Sequence, residues 1–306
     1  MTGNTGNTGN TGNTGNTGNT GNTGNTGNIG GVGWFISDRV DLPFVTRLDP
    51  AGTNELGSLR LTPPAHFGDR QWSANWYAWR VLHQMVANVA GWAATVDGDA
   101  TFTKIRTDLV AGYSLQIDNL VLAARDERPE AMGPILSQDV EFFTDFLAVL
   151  TIRPGSHPQT WRVLHIASLI GSFAALFFKG KYDLPRPSQI CPALLPPIPV
   201  PGHSSWPSGH STQAHLMKNC MLRIFAATAT TATTTAMPAA DQAVLNSDLT
   251  ILADSIARNR EIAGLHYPKD SEGGARLADL LNSVILTTGA VPLFEGAIAA
   301  AAGEWQ

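Results

Sequence analysis

The chain contains only two cysteines in 306 residues, Cys191 and Cys220. They lie far apart and form no Cys-x-x-Cys pair, so the sequence predicts neither a disulfide framework nor a cysteine zinc site. Basic residues are also few, because 20 Lys and Arg are outnumbered by 25 Asp and Glu, which leaves a formal charge of −5. Nonspecific binding to nucleic acid needs a basic surface, so nucleic acid is not expected as a partner and any anion site must be local.

Long apolar runs are absent as well. The most apolar stretch, residues 163–178, has 16 residues with a histidine among them. This length falls short of the ~20 residues that cross a bilayer, so we predict a buried core helix and no membrane span. A basic start followed by an apolar run is missing before Ile29, so no secretory signal is recognised and a cytoplasmic location is the default expectation.

The N-terminal region has almost nothing to bury. Residues 2–28 are nine copies of the triplet Thr-Gly-Asn, without an apolar side chain. Such a segment cannot offset the entropy lost on ordering. We therefore predict a disordered tail over residues 1–28 and a single helical domain over residues 29–306, in which residues 33–68 form an irregular wrapping segment.

Helical periodicity dominates the rest of the chain, and strand signals are scarce. Trp76, Trp79, Leu82, Val86 and Val89 recur at three- and four-residue spacings, which predicts an apolar helical face. Further helices are predicted over residues 101–125, 135–152 (with Ser137 as a candidate cap), 158–180, 208–226, 241–264 and 272–300.

Two stretches between these helices are expected to be loops. Residues 181–207 contain eight prolines, which exclude a regular helix and predict an extended loop. Residues 226–240 are of low complexity and are expected to form a surface loop. The complete pattern predicts an all-α protein, most simply a helix bundle.

The segment SSWPSGHSTQ, residues 204–213, places Pro207, Ser208, Gly209 and His210 just before a predicted helix. A helix N-terminus favours an oxyanion, because its unpaired N–H groups and the positive end of its dipole both attract negative charge. Ordinary capping by Ser208 would equally explain the serine. The segment therefore indicates either an anion site or a simple helix cap.

A pair of cations flanks the end of the preceding helix. Lys179 is followed, after six residues, by Arg186. A lysine in the last helical turn is favoured by the helix dipole, and an arginine in a loop is usually solvated. On their own, these two residues have an ordinary structural explanation.

A third segment supplies another cation and a second histidine. Arg260 precedes His266 by six positions, and Asp270 follows His266 by four. In a continuous helix Asp270 would hydrogen-bond one imidazole nitrogen and leave the other free, but Pro268 predicts a turn or a helix start there. A surface histidine beside a surface aspartate is the alternative.

Together the three segments resemble the signature of the superfamily of type 2 phosphatidic acid phosphatases and vanadium haloperoxidases. The matching positions, within about residues 175–275, are Lys179-x6-Arg186-Pro187, Pro207-Ser208-Gly209-His210 and Arg260-x5-His266-x3-Asp270. The resemblance implies a helix bundle of that type and a site for phosphate or vanadate. In that site the cations Lys179, Arg186 and Arg260 would surround the anion, with Ser208 and the Gly209 N–H completing the cradle.

The resemblance also implies roles for the site residues. His266 would bond to phosphorus, or to vanadium if vanadate is bound, through Nε2, while Asp270 holds its Nδ1–H. His210 would be the acid and base. Lys179 would also act on the bound peroxide in a haloperoxidase. Two positions, Asn259 and Ser211, depart from the residues Ser and Ala that many family members have there.

Two reactions are consistent with one such site. With vanadate as cofactor, a haloperoxidase would oxidise halide with hydrogen peroxide; without a cofactor, a soluble acid phosphatase would hydrolyse phosphomonoesters through a phosphohistidine. HSSWPSGHSTQ resembles the segment of bromide-using vanadium peroxidases in which the histidine equivalent to His203 borders the halide pocket, with Trp206 as an adjacent aromatic. This likeness favours the bromide-type haloperoxidase. A non-catalytic helical protein with internal ion pairs is the third possibility.

Overall fold

The computed structural model describes Gly68 and residues 72–231, 238–286 and 289–305. The tail predicted over residues 1–28 lies outside the described residues, as does the wrapping segment predicted over residues 33–68, apart from Gly68. Part of the predicted surface loop, residues 232–237, also lies outside them.

Every regular element in the described residues is helical, which confirms the all-α class. The longer elements are α1 (Ala74–Asn88), α2 (Trp92–Asp97), α3 (Ala100–Ala111), α4 (Tyr113–Asp126), α5 (Arg128–Val140), α6 (Phe143–Leu150), α7 (Pro158–Tyr182), α8 (Pro187–Ile190), α9 (Gly209–Thr231), α10 (Ala239–Ile262), α11 (Pro268–Leu280) and α12 (Pro292–Ala302). Short 3₁₀ turns at Pro192–Leu194 and Gly303–Trp305 and a π turn at Leu281–Ile285 complete them.

Helices α7 and α9 form the centre of this arrangement. α9 packs against α7, α10, α11 and α12, while α1 and α12 also pack against α7. One helical stretch in the described residues, Pro158–Ile190, is long and apolar enough to cross a membrane, and 72% of its apolar window is buried within the protein. That burial agrees with the predicted core helix.

The buried face of α1 differs from the predicted one. Trp76, Trp79 and Val86 are 43%, 41% and 46% exposed. Leu82 is buried as predicted, but its buried neighbours on the helix are Tyr77, Ala78, Val81 and Met85. The Tyr77 hydroxyl donates to the Leu293 carbonyl at 2.9 Å, so its polar end is paired inside the fold. Both sets of residues have helical spacing, and contacts with other helices select between them.

Three predicted helices are divided in the structure, and the first, residues 101–125, forms α3 and α4 with Gly112 between them. Residues 135–152 belong to α5 and α6, which are separated by extended backbone at Glu141. Ser137 is therefore not a cap, and its hydroxyl donates to the Pro134 carbonyl within α5 at 3.2 Å. Residues 272–300 are divided between α11 and α12, and Pro292 begins the second helix because proline suits the first helical turn.

The proline-rich stretch is largely irregular, as predicted, but it contains one α-helical turn and one 3₁₀ turn. α8 begins at Pro187, where the missing N–H of proline has no cost. α9 begins at Gly209 and continues to Thr231, beyond the predicted end at residue 226, so the first part of the predicted surface loop is helical.

Candidate anion-binding site

The segments that contain the three sequence motifs meet at the start of α9. The Ser208 N–H donates to the Asp270 carbonyl at 2.9 Å, and the Ser205 N–H donates to the Leu184 carbonyl at 2.9 Å. These bonds join the loop before α9 to the start of α11 and to the loop after α7. The backbone therefore brings together residues that lie far apart in the sequence.

A glycine on α11 allows one of these approaches. A Cβ atom at Gly273 would lie 1.9 Å from Cη2 of Trp206, which no real side-chain carbon could do. Trp206 is fully buried, and its ring centroid lies 5.4 Å from that of Phe102. It is not among the residues that line the cavity described next, so the structure places Trp206 in the core and not at the predicted halide or substrate pocket.

A small cavity lies between the motif segments, and we call it the inner cavity. Nine residues line it: Asp139, Arg186, Pro201, His203, Gly209, His210, Arg260, Leu265 and His266. Six of them are residues that the sequence placed in a candidate site. Lys179 and Ser208, also predicted there, are buried nearby but do not line it.

Arg186 is held rigidly at one wall of the inner cavity. Its Nε donates to the His203 carbonyl at 2.9 Å, and its Nη1 donates to the Leu265 carbonyl at 2.9 Å. Its Nη2 lies 3.1 Å from Nδ1 of His203. Burial lowers the pKa of Arg186 to about 10, which still leaves the guanidinium charged at neutral pH. The side chain is thus a fixed cation on the cavity wall.

Arg260 provides a second buried cation whose donors are not all paired. Its Nη2 donates to the Ile135 carbonyl at 2.6 Å, and its Nη1 lies 3.8 Å from Oδ1 of Asp139. Nε and Nη1 have no hydrogen-bond partner among the described residues. Burial lowers the pKa of Arg260 to about 10, so this fully buried group remains charged. Buried charges with unpaired donors are costly, and an oxyanion would satisfy them.

Lys179 lies behind the loop that precedes α9. Its Nζ donates to the carbonyls of Ser204 and Ser205 at 2.8 and 2.6 Å. Burial and the charge of Arg186 lower the pKa of Lys179, while Asp270 opposes that shift. Lys179 therefore fixes the loop and is close enough to the site to act on it electrostatically.

His266 lies in the turn before α11 and presents one ring nitrogen to the inner cavity. Its Nδ1 lies 3.0 Å from Oδ2 of Asp270, an oxygen that also accepts from the Tyr267 N–H at 3.0 Å and from the Ser205 hydroxyl. Because Oδ2 is an acceptor, the proton of the neutral ring belongs on Nδ1. Nε2 then bears no proton and accepts a long hydrogen bond from Nη1 of Arg186 at 3.5 Å.

Burial and neighbouring charges shift the pKa of both His266 and Asp270. Burial and the cations Lys179 and Arg186 lower the pKa of His266, which favours the neutral ring. Burial raises the pKa of Asp270 to about 6, against the hydrogen bond from Ser205 and the charge of Lys179. At neutral pH the carboxylate therefore remains an acceptor for Nδ1–H. The predicted helix start at Pro268 agrees with α11, which places Asp270 in its first turn.

His210 lies in the first turn of α9 and, like His266, lines the inner cavity. Its Nε2 is 3.1 Å from the Gln138 carbonyl, and its ring centroid is 5.6 Å from that of Phe142. A carbonyl only accepts, so Nε2 bears the proton and Nδ1 is the free nitrogen. Burial and Arg260 lower the pKa of His210. Ser208 caps this helix, since its Oγ accepts from the Ser211 N–H at 3.4 Å.

The inner cavity also contains residues that the motifs did not indicate. Asp139, in the last turn of α5, is the acidic residue nearest to Arg260, and burial raises its pKa. Pro201 and Leu265 complete the wall. Nothing in the sequence around Asp139 distinguishes it from a surface helix residue, so only the packing of α5 against α10 could identify it.

The two departures from the family pattern form hydrogen bonds within the protein. Asn259 donates from Nδ2 to Oε1 of Gln138 at 2.9 Å, and Ser211 donates to the Ser271 carbonyl at 2.7 Å. Neither residue lines the inner cavity.

In the comparisons with known proteins, no protein-family model matches this chain, and no curated protein matches it either.

Proposed function

We propose that the inner cavity binds a tetrahedral oxyanion and that the protein is an enzyme of the vanadium haloperoxidase and type 2 phosphatidic acid phosphatase kind. The observation that supports this most directly is the buried Arg260 guanidinium, which lines the cavity with two unpaired donor nitrogens. Arg186 adds a second cation, and His266 adds an Nε2 whose only hydrogen bond among the described residues is the long one from Arg186. Burial lowers the pKa of both arginines only to about 10, so both are charged at neutral pH and favour a bound anion.

The residues present fit vanadate. Arg186, Arg260 and the Gly209 N–H would hold its oxygens, and Nε2 of His266 would be its protein ligand. When bound, vanadate supplies the activation of hydrogen peroxide for halide oxidation. Asp270 keeps the proton of His266 on Nδ1, so Nε2 stays available as a ligand. His210 would hold or release a proton at the cavity.

The position of the His203 ring favours haloperoxidase chemistry over ester hydrolysis. Its ring lines the inner cavity next to Arg186, where the resemblance to bromide-using enzymes expects a histidine beside the halide. Burial and the nearby cations lower the pKa of His203 to about 4, so the ring is neutral at neutral pH. A neutral imidazole N–H beside a cationic guanidinium is suited to binding a halide.

Acid phosphatase activity is the second candidate, and the His266–Asp270 pair supports it. Nε2 of His266 would attack phosphorus as the ester P–O bond breaks, and His210 would give a proton to the leaving alcohol oxygen. A bound dianion would raise the pKa of His210, because it stabilises the imidazolium. Water would then cleave the N–P bond of the phosphohistidine and return the proton to His210.

One experiment separates the two candidates. Purified protein is incubated with orthovanadate, and bromide-dependent oxidation by hydrogen peroxide is assayed beside hydrolysis of an aryl phosphate. In a haloperoxidase vanadate activates the protein, whereas in a phosphatase it inhibits as a transition-state mimic. If vanadate only inhibits and no halide is oxidised at neutral or mildly acidic pH, the haloperoxidase proposal is wrong.

The variant His203→Ala adds a second, independent comparison. The ring contacts Arg186, so both reactions should lose some anion affinity. Only the haloperoxidase also loses the group beside the halide, so its Michaelis constant for bromide should rise while ester hydrolysis keeps its kcat. Equal loss in both assays would show that His203 acts through Arg186 alone.

A further inference from the structure

A second, larger and more open pocket adjoins the inner cavity, and we call it the outer pocket. Its lining includes Asp183, Leu184, Pro185, Gln189, Pro201 and His203. Pro201 and His203 also line the inner cavity, so the two spaces share a wall. A ligand with its anionic group in the inner cavity could therefore extend into the outer pocket.

An unpaired acceptor lies in the outer pocket. Asp183 follows the last residue of α7 and has left-handed backbone (φ 47°). The residue is exposed at this helix end. Its carboxylate makes no hydrogen bond and no ion pair among the described residues. A carboxylate offers only acceptor sites, so it pairs with hydroxyl or N–H groups of a ligand.

An unpaired donor lies close to that acceptor in the sequence. Oε1 of Gln189 accepts from the Arg186 N–H at 2.7 Å, which fixes the orientation of the amide. The amide nitrogen of Gln189 then has two N–H donors without a partner among the described residues. The same contact links Gln189 directly to a residue of the inner cavity.

The composition of the outer pocket also excludes several ligand classes. Within the described part of the chain, its lining contains no Lys, Arg, Phe, Tyr or Trp. A second phosphate or carboxylate would meet the negative charge of Asp183, and a base or acyl chain would find only the His203 ring and the Leu184 side chain besides the prolines. The rings of Pro185 and Pro201 offer small apolar faces, against which C–H groups can pack.

We infer that the outer pocket binds a neutral polyhydroxylated group, such as a sugar or polyol, of a ligand whose oxyanion occupies the inner cavity. Hydroxyl groups both donate to Asp183 and accept from Gln189, which uncharged alkyl or aryl groups do not. This inference rests on the proposed oxyanion site but not on which of the two reactions the site performs.

The test compares ligands whose C–P bond the site cannot hydrolyse. Calorimetry measures the dissociation constants of orthophosphate, butylphosphonate and 3,4-dihydroxybutylphosphonate, the last two differing only in two hydroxyl groups. One or two added hydrogen bonds to a charged partner correspond to a gain of about tenfold in affinity. We expect the dihydroxy compound to bind about tenfold more tightly than butylphosphonate.

The variant Asp183→Asn tests whether the preference for the dihydroxy compound arises in the outer pocket. Asparagine tolerates left-handed backbone, so the variant should fold, and it removes the charged acceptor. The tenfold preference should shrink to about twofold, while orthophosphate binds as well as before or slightly better, because a negative charge near the site is gone. The control is Asp248→Asn, at an exposed aspartate of α10, which changes the net charge by the same amount as Asp183→Asn. This variant should keep the full tenfold preference for the dihydroxy compound.

The outcomes distinguish the inference from the proposed function. Equal affinities for the two phosphonates, or a preference that survives in Asp183→Asn, would overturn the outer-pocket inference while leaving the oxyanion site intact. Absence of binding for orthophosphate and orthovanadate alike would overturn the proposed function and the inference with it.

Discussion

Arg260 holds a positive charge inside the protein, where its partners only partly compensate for the lost hydration. One of its donors is paired with a carbonyl, while Asp139 is 3.8 Å away and Nε is unpaired among the described residues. Desolvation of such a charge costs several kcal/mol, on the order of the stability of a whole domain. The side chain thus opposes folding unless an anion binds. We therefore expect Arg260 to lower the free energy of unfolding of the anion-free protein and to raise its affinity for an anion.

The variant Arg260→Met tests this opposition. Removing a charged donor should weaken orthophosphate binding by about 10- to 100-fold, equivalent to about 1.5–3 kcal/mol. The anion-free protein should be as stable as the wild type or more stable, because an incompletely paired buried charge is lost. Calorimetry and thermal unfolding measure the two quantities.

A neighbouring arginine provides the control. Arg258 pairs with Glu127 and Glu261 and does not line the inner cavity, so Arg258→Met should leave orthophosphate binding nearly unchanged. Wild-type affinity in Arg260→Met would contradict the proposed anion site.

The His266–Asp270 pair makes a second prediction, about the position of a proton. In Asp270→Asn the amide can donate to Nδ1, which moves the ring proton to Nε2 and blocks the nitrogen that faces the cavity. Either reaction should then slow by about 10²–10⁴-fold, and His266→Ala should abolish it.

The structure offers a matched pair for comparison. His215 and Asp254 are joined at 3.1 Å between α9 and α10, and neither lines the inner cavity. Asp254→Asn should leave turnover within about twofold of the wild type. Similar losses in the two aspartate variants would indicate a general effect on folding and not a role for the Nδ1 proton.

Packing between α11 and the loop before α9 leaves no room for a side chain at Gly273. Gly273→Ala would place Cβ within 1.9 Å of the Trp206 ring, so the loop or the helix must shift. We expect a loss of at least 1–3 kcal/mol in the free energy of unfolding, as for other overpacked cores. Because the loop contains the carbonyls that hold Lys179, anion affinity should fall as well.

Gly296, within α12, is the control for this substitution. Apart from its chain neighbours and the nearby backbone of its own helix, no described heavy atom lies within 4 Å of a Cβ built there, and alanine has the higher helix propensity. Gly296→Ala should therefore be neutral or stabilise the protein by up to about 1 kcal/mol. Denaturant unfolding of the two variants checks the prediction, and equal effects at the two glycines would contradict the close contact with Trp206.

His165 on α7 links the stability of the protein to pH. Its ring lies 4.8 Å from that of Phe143 and 4.4 Å from that of Trp161, and burial lowers its pKa from 6.5 to about 4. Between these two pH values the unfolded chain binds a proton that the folded protein does not. The contribution of His165 to stability is therefore complete above pH 6.5 and is lost as the pH falls toward 4.

A non-titrating ring isolates this contribution. On acidification from pH 7 to pH 4.5, the wild type should lose about 1–3 kcal/mol more of its free energy of unfolding than His165→Phe does. Denaturant unfolding at the two pH values measures the difference. Parallel losses in the two proteins would show that His165 titrates alike in the folded and unfolded states.

Much of the candidate site could be predicted from three short motifs and their resemblance to a known family. The resemblance implied that Arg186, Gly209, His210, Arg260 and His266 surround one anion, and the structure brings all five to one cavity. Helical periodicity likewise predicted α7 and α9 closely, because a repeat of apolar residues reflects the helix itself. These features depend on neighbours within a few residues of one another.

Other features follow only from contacts between distant parts of the chain. The periodicity of α1 fits two faces, and burial against α7 and α12 selects the one that contains Tyr77. Asp139 reaches Arg260 because α5 packs against α10, and Trp206 enters the core because Gly273 leaves room for its ring. Local spacing specifies how a segment turns and which groups it presents, whereas the free energy of burial and of pairing buried charges depends on the neighbours that the complete fold supplies.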